Sequence, residues 1–239
     1  MFELSYTKAH TYLNCPWLYK LKFLDNWKAP PSPHAALGLS IHKALEIFHK
    51  RRLKTLEELC DCLDKVWERV GYRDAEEELV FYDKAKLILK TYLEKVASRW
   101  DGEVLELEKK FFLDLPAIGI KLQGIIDRVD RMPDGSFAVV DYKTHAEPWS
   151  QERLKGDLQI TLYQKAARES LGLLDIRLYF FFVAQGTLVE VTRQGEDWAT
   201  AEKALVEVKQ KVEGGQFTPN TNHCQYCEMK KSCKYSICK

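Results

Sequence analysis

Asp141 and Lys143 stand two residues apart in the segment Val140-Asp141-Tyr142-Lys143-Thr144. In a β-strand, residues so spaced share one face of the sheet, so an acid and a base point the same way. Asp127 lies in Gly124-Ile125-Ile126-Asp127-Arg128-Val129-Asp130, where a strand interior otherwise takes a hydrophobe. A carboxylate there is costly unless it is paired or holds a metal. Phosphodiester hydrolysis uses such a set: hard oxygen ligands for Mg²⁺ or Mn²⁺, a metal-bound water of lowered pKa, and a cation to balance charge at phosphorus. Asp127, Asp141 and Lys143 match those roles. A D-x-K pair by itself is more often an ordinary surface ion pair, so the context has to decide.

Upstream, Gly38-x3-His42 sits in a helical pattern whose apolar stripe is Leu37, Ile41, Leu45 and Phe48. His42 falls beside that stripe, within reach of a metal, and Glu46 one turn on is placed to orient it or to bind through water. Gln159 and Tyr163, four apart, put an amide and a phenol on one helix face. A lone helical histidine is usually a surface or satisfied residue, and the Gln-Tyr pair alone is weak. Glu108 alternates with apolar residues and fits simple exposure as well as it fits the site.

The elements that must carry these groups are legible from periodicity. Leu37 to Phe48 recur at helical spacing, and further helices open with capping boxes at Thr55 to Glu58 and Asp74 to Glu77, running to about Trp100. The pattern then changes to period two over Leu105 to Leu115, with Phe112 breaking it. Strands over about 118–131 and 137–144, joined by Pro133-Asp134-Gly135, complete a three-stranded meander. A crossover helix over about 150–171, a strand over 176–184, a hairpin through Gln185-Gly186 to a strand near 188–192, and a last helix over about 197–212 follow. This order predicts an α/β fold with a mixed central sheet flanked by helices. No repeat or linker divides the chain, so a single domain over 1–239 is expected, with a helical insertion over about 55–100.

With 36 Lys and Arg against 35 Asp and Glu, the net charge of +1 gives no global field for a polyanion. Nucleic-acid contact must be local. The first ten residues lack a secretory signal and no stretch approaches a membrane span, so a cytoplasmic protein without membrane contact is expected. Seven cysteines in a reducing compartment suggest metal or catalysis rather than disulfides. The tail offers Cys224-x2-Cys227-x5-Cys233, and Cys15 is the distant fourth thiol, a set that suits zinc or an iron-sulfur cluster equally by spacing. Cys238 reads as a spare thiol, and Cys60 and Cys62 as ordinary helix cysteines.

Taken in order, Gly38-x3-His42, Gly124-x2-Asp127, Asp141-Tyr142-Lys143 and Gln159-x3-Tyr163 resemble the motif series of RecB-like PD-(D/E)XK nucleases. The resemblance implies a metal held by His42, Asp127, Asp141 and the Tyr142 carbonyl, catalytic assistance from Lys143, and DNA contacts from Gln159 and Tyr163. Leu4-Ser5-Tyr6-Thr7, Cys15-Pro16-x2-Tyr19 and Gly215-x-Phe217-x-Pro219 resemble the iron-sulfur nucleases of that superfamily, such as AddB nuclease domains and the exonucleases of CRISPR adaptation modules. This implies a [4Fe-4S] cluster on Cys15, Cys224, Cys227 and Cys233, in a metal-cluster subdomain formed by about 214–239 and the Cys15 region. Only the stretch from about Thr55 to Trp100 falls outside it.

The function implied is a Mg²⁺- or Mn²⁺-dependent deoxyribonuclease, an exonuclease on single-stranded DNA ends, in CRISPR spacer acquisition or in recombination and repair. Its partners would be CRISPR integration proteins or a helicase in trans, since the sequence contains no G-x4-G-K-[ST] loop for ATP. A DNA-end-binding subunit that does not cut is the rival reading. A zinc-ribbon adaptor would explain the cysteines but not the Asp127, Asp141 and Lys143 alignment.

Overall fold

The computed structural model describes residues 1–145 and 149–238. Lys239, the end of the expected cluster subdomain, lies outside the described residues. The fold is mixed α/β, its strands forming one six-stranded sheet in the order β1-β3-β4-β5-β6 with β2 also paired to β3. The strands are β1 (Phe2–Ser5), β2 (Glu103–Leu115), β3 (Ile120–Arg131), β4 (Phe137–Lys143), β5 (Ile176–Phe182) and β6 (Thr187–Val191). The chain forms two compact units.

The central unit comprises Pro31–Phe111 and Ile125–Arg193. It holds α3 (Pro33–Lys50), α4 (Leu56–Val66), α5 (Ala75–Lys95), α6 (Gln151–Lys155) and α7 (Leu158–Glu169). Here β4 pairs antiparallel with β3 and parallel with β5, and β5 pairs antiparallel with β6. Alternation sorts β4 as its sequence requires. Ala138, Val140 and Tyr142 join Tyr179, Phe181 and Val183 of β5 in a core with Ile41, Leu45 and Phe48 of α3, Leu59 and Leu63 of α4, and Leu89 and Tyr92 of α5. Asp141 and Lys143 therefore face the other way. The capping box of α4 is formed as its sequence implies, with the Glu58 amide donating to Thr55 Oγ1 and the Thr55 amide to Glu58. Cys62 is buried in the core and Cys60 is half-buried.

Two local readings differ from the structure. The crossover helix is not continuous over 150–171: α6 stops at Gly156, and Asp157 caps α7 by accepting from the Ile160 amide at 2.8 Å. A glycine followed by an N-capping Asp is a stop and a restart, which apolar periodicity alone does not register. In β2 the alternation is clean only beyond Glu108. Phe111 and Leu113 are buried and Phe112 is exposed, but Leu105 is exposed as well. Glu108 has φ of 46°, a left-handed residue inside a strand, and such a kink re-aims the side chains around it.

The terminal unit comprises Met1–Pro30, Phe112–Gly124 and Gln194–Lys239. β1 runs parallel to the first residues of β3, Phe2 opposite Ile120 and Ser5 opposite Gln123. α1 (Tyr6–Asn14) and α2 (Pro16–Tyr19) follow, and α8 (Gly195–Glu213) packs with α1. Ser5 caps α1 through the Lys8 amide, and the Tyr12 hydroxyl donates to the Gln216 carbonyl at 2.5 Å. Among the described residues, no helix is long and apolar enough to cross a membrane.

Candidate active site

The ladder between β3 and β4 ends at Arg128 opposite Val140. Beyond that point the Tyr142 amide donates to Asp127 Oδ2 at 2.8 Å. A side-chain carboxylate has taken the place of a backbone acceptor, which fixes Asp127 where the two strands part. From α3, His42 Nδ1 reaches to 3.8 Å from the same oxygen. Gly38 lies one turn before His42, where a Cβ would sit 3.3 Å from Thr144 Oγ1 at the end of β4 and press on that side chain. Glu108 completes the group: one ligand atom each from His42, Glu108 and Asp127 lie within 4.8 Å of one another.

Asp141 is 1% exposed and forms a close ion pair with Lys143. The Lys143 ammonium sits against Asp141 Oδ2. Lys143 Nζ donates to Gln159 Oε1 at 2.8 Å, and Gln159 Nε2 donates to the Tyr163 hydroxyl at 2.9 Å. The lysine also lies 5.0 Å from the Trp149 ring centroid and 5.6 Å from that of Phe180. Tyr163 is buried, edge-on to Phe111. The Gln-Tyr pair thus holds the lysine from behind, with only the half-buried Gln159 near solvent. Arg193 steadies this helix: its guanidinium donates to Thr161 Oγ1 at 2.8 Å and to the Leu154 carbonyl at 2.7 Å.

The electrostatics follow from crowding carboxylates in a place with little water. Burial pushes Asp141 and Asp127 above the ordinary aspartate range, with the Lys143 cation opposing the shift in both and the charge of Asp127 adding to it in Asp141. Glu108 is raised to about 7, by burial first and then by the Asp127 charge, with Glu46 adding to it. Burial lowers His42, keeping its imidazole neutral with a lone pair available. Three acids that resist ionisation around a neutral histidine form a site short of positive charge.

A model of the PD-(D/E)XK nuclease superfamily matches residues 3–234. The chain belongs to that superfamily. Among curated proteins, an ATP-dependent helicase/deoxyribonuclease subunit of Streptococcus agalactiae serotype Ia is 27% identical over 166 residues, covering 65% of this chain and 15% of the relative. The helicase/deoxyribonuclease subunit of the same description from Streptococcus mutans serotype c is 23% identical over 185 residues, covering 72% of this chain and 17% of its own length. The chain thus spans well under a fifth of the relatives it matches. Among solved structures, the crystal structure of SSO0001 covers 97% of this chain and 96% of its own at 15% identity and a TM-score of 0.38.

Members of the PD-(D/E)XK superfamily use divalent metals, and the residues of this one fit a hard cation. Oxygen donors of Glu108 and Asp127 converge with one imidazole, and the imidazole is neutral. Glu108 is the participant the sequence left open, and its placement depends on the left-handed backbone at that residue. No sequence signal announces such a kink at a glutamate. The charge of Glu46 acts on Glu108.

In the terminal unit, Cys15, Cys224, Cys227 and Cys233 are all buried free thiols. They line one apolar cavity of about 20 Å³ with Trp17, Leu18, Leu21 and Met229. The Asn220 amide donates to Cys15 Sγ at 3.4 Å. Burial raises the Cys227 thiol, and the other three cysteines add to the shift. Cys238 is half-buried and does not line the cavity.

Proposed function

We propose that this chain is a metal-dependent deoxyribonuclease that cleaves single-stranded DNA from its ends. The observation that carries the reading is the convergence of His42, Glu108 and Asp127 within 4.8 Å, beside the buried Asp141–Lys143 pair, in a member of a nuclease superfamily. His42, Asp127, Asp141 and the Tyr142 carbonyl would hold Mg²⁺ or Mn²⁺, and Glu108 joins that set. The chemistry such an ion supplies when bound is activation of a water nucleophile and neutralisation of phosphate charge. Lys143, shared between Asp141 and Gln159, is placed to stabilise charge that develops on the phosphate oxygens. Gln159 is the DNA-contacting member of its pair, and Tyr163 acts by orienting it.

The four buried cysteines would hold a [4Fe-4S] cluster. The relatives are named as helicase/deoxyribonuclease subunits, which favours work in recombination and repair beside an ATP-driven helicase. A place in CRISPR spacer acquisition rests on the cysteine pattern alone.

The test is incubation of purified protein with Mn²⁺ or Mg²⁺ and end-labelled linear or circular single-stranded DNA. Stepwise shortening of the linear strand, with the circle intact, is expected. If all DNA stays whole while binding persists, the chain serves to bind DNA ends without cutting them.

A further inference from the structure

Behind the candidate metal site lies a buried polar network with no part in the chemistry described above. Arg128 is 3% exposed and Asp130 is 0% exposed. Arg128 Nε donates to Asp130 Oδ1 at 2.7 Å and Nη2 to Oδ2 at 2.5 Å. The other arm of the guanidinium, Nη1, donates to the Tyr92 hydroxyl at 3.1 Å and to the Tyr142 hydroxyl at 3.3 Å, and lies 3.0 Å from His49 Nε2. Trp100 Nε1 donates to Asp130 Oδ2 at 2.5 Å, an approach that Gly102 permits, since a Cβ there would sit 2.6 Å from the indole nitrogen. Burial and the Arg128 charge push His49 down to about 3, so it stays neutral and accepts from the guanidinium.

A buried ion pair is poor value as a stabiliser, because well-packed apolar residues of similar volume usually do as well or better. Its geometry suggests another use. The network spans α3 through His49, α5 through Tyr92 and β3 through Asp130, and it reaches the site through the Tyr142 hydroxyl. That residue has three connections. Its hydroxyl is held by Arg128, its ring stands edge-on to His42 at 5.8 Å, and its amide holds Asp127 Oδ2 at 2.8 Å. Fixing Tyr142 therefore fixes two of the three groups that converge as ligands.

We propose that Arg128, braced by Asp130, is a positioning residue that sets the ligand geometry of the metal site by holding the Tyr142 hydroxyl. The inference rests on the reading of His42, Glu108 and Asp127 as metal ligands. Outer partners that orient ligands typically change metal affinity by about 10- to 100-fold when removed, and the expected loss here is at the lower end, about tenfold, because the hydroxyl acts through a ring and an amide.

The experiment is titration of full-length protein with Mn²⁺, reading free Mn²⁺ from its six-line EPR signal. Tyr142→Phe removes one oxygen and leaves the Arg128–Asp130 pair intact, so it is expected to fold and to bind Mn²⁺ about tenfold more weakly. Arg128→Lys keeps a cation beside Asp130 but has one nitrogen where the guanidinium spreads three, and a similar loss is expected. If Arg128→Lys fails to fold, Tyr142→Phe decides alone. A purely structural network predicts lower melting temperatures with Mn²⁺ affinity unchanged, and that result in folded Tyr142→Phe overturns the inference. Full affinity in Arg128→Lys would overturn it too, by showing that charge balance is all that Arg128 supplies. Wild-type protein that binds no Mn²⁺ would remove the ligand reading and this inference with it, an outcome distinct from wild-type binding that the variants match.

Discussion

Glu108→Gln should make the metal-free protein more stable at pH 8 and less able to respond to metal. The glutamate is held half-buried beside Asp127, and its folded pKa stands near 7, against an ordinary value of 4.5. At about 1.4 kcal/mol per unit, keeping it ionised costs the folded state about 3 kcal/mol above pH 8. A carboxyl group whose pKa is raised by folding contributes stability below its unfolded value and loses that contribution as pH rises through the folded one. Metal-free wild-type protein should therefore weaken between about pH 5 and pH 8, and Glu108 alone should account for roughly 2.5 kcal/mol of that slope. Glutamine has no charge to lose, so the variant should be flatter over the same window. For a chain of this size 1 kcal/mol moves the melting temperature by about 2–4 °C, so the variant should melt about 5–10 °C above wild type in EDTA at pH 8. Saturating Mn²⁺ should close most of that gap. A cation at 100 times its Kd stabilises by about 2.7 kcal/mol, which wild type should gain and the variant should largely lose. Scanning fluorimetry at pH 5, 6.5 and 8, with EDTA or Mn²⁺, reads all of this. A variant that melts below wild type in EDTA at pH 8, or that keeps the whole Mn²⁺ response, would show that Glu108 is not a charge awaiting a cation.

Lys143→Met should fold and bind Mn²⁺, but single-turnover cleavage of DNA should slow by about 10²- to 10³-fold, the usual effect of losing one charge-stabilising group; an unchanged rate would remove the lysine from the chemistry. Asp127→Asn keeps an acceptor for the Tyr142 amide yet should abolish both calorimetric Mn²⁺ binding and cleavage, while DNA affinity in EDTA persists or rises; retained Mn²⁺ binding would move the metal elsewhere. Anaerobically purified protein should be brown with broad visible absorbance from a cysteine-ligated iron-sulfur cluster, and Cys227→Ala should be colourless and melt lower, whereas Cys60→Ala, outside that cavity, should be mild. Colourless wild-type protein with stoichiometric zinc would exclude the cluster.

What could be read from the sequence follows the range of the forces involved. Asp141 and Lys143 were legible because period-two alternation is a local rule, and β4 obeys it through to Tyr142 in the core. His42 was legible because a helix face is fixed by spacing. Glu108 was not, since its direction depends on one left-handed residue that the alternation of Leu105 and Leu107 conceals. β1 was not either: four residues gain a partner only by lying parallel to 120–123, more than a hundred positions on, and nothing local records that. The Gln159–Tyr163 pair was placed on its helix face correctly, but that the phenol is buried and the amide tied to Lys143 is a tertiary fact. Arg128 is buried, which no local pattern in its segment records.

The terminal unit is assembled from three separate stretches of chain, with Cys15 packed beside Cys227 and Cys233. This arrangement orders events during synthesis. The residues that cover the first stretch are made long after it: Asn220, whose amide donates to the Cys15 sulfur, follows it by 205 positions. At about 5–20 residues per second, those opening helices wait on the order of 10–40 s for their partners. The residues from Pro31 to Arg193, which include the whole central unit, are complete before that wait ends. A nascent chain of this protein thus carries every residue of the central unit while Cys15 and the helices beside it still await cover.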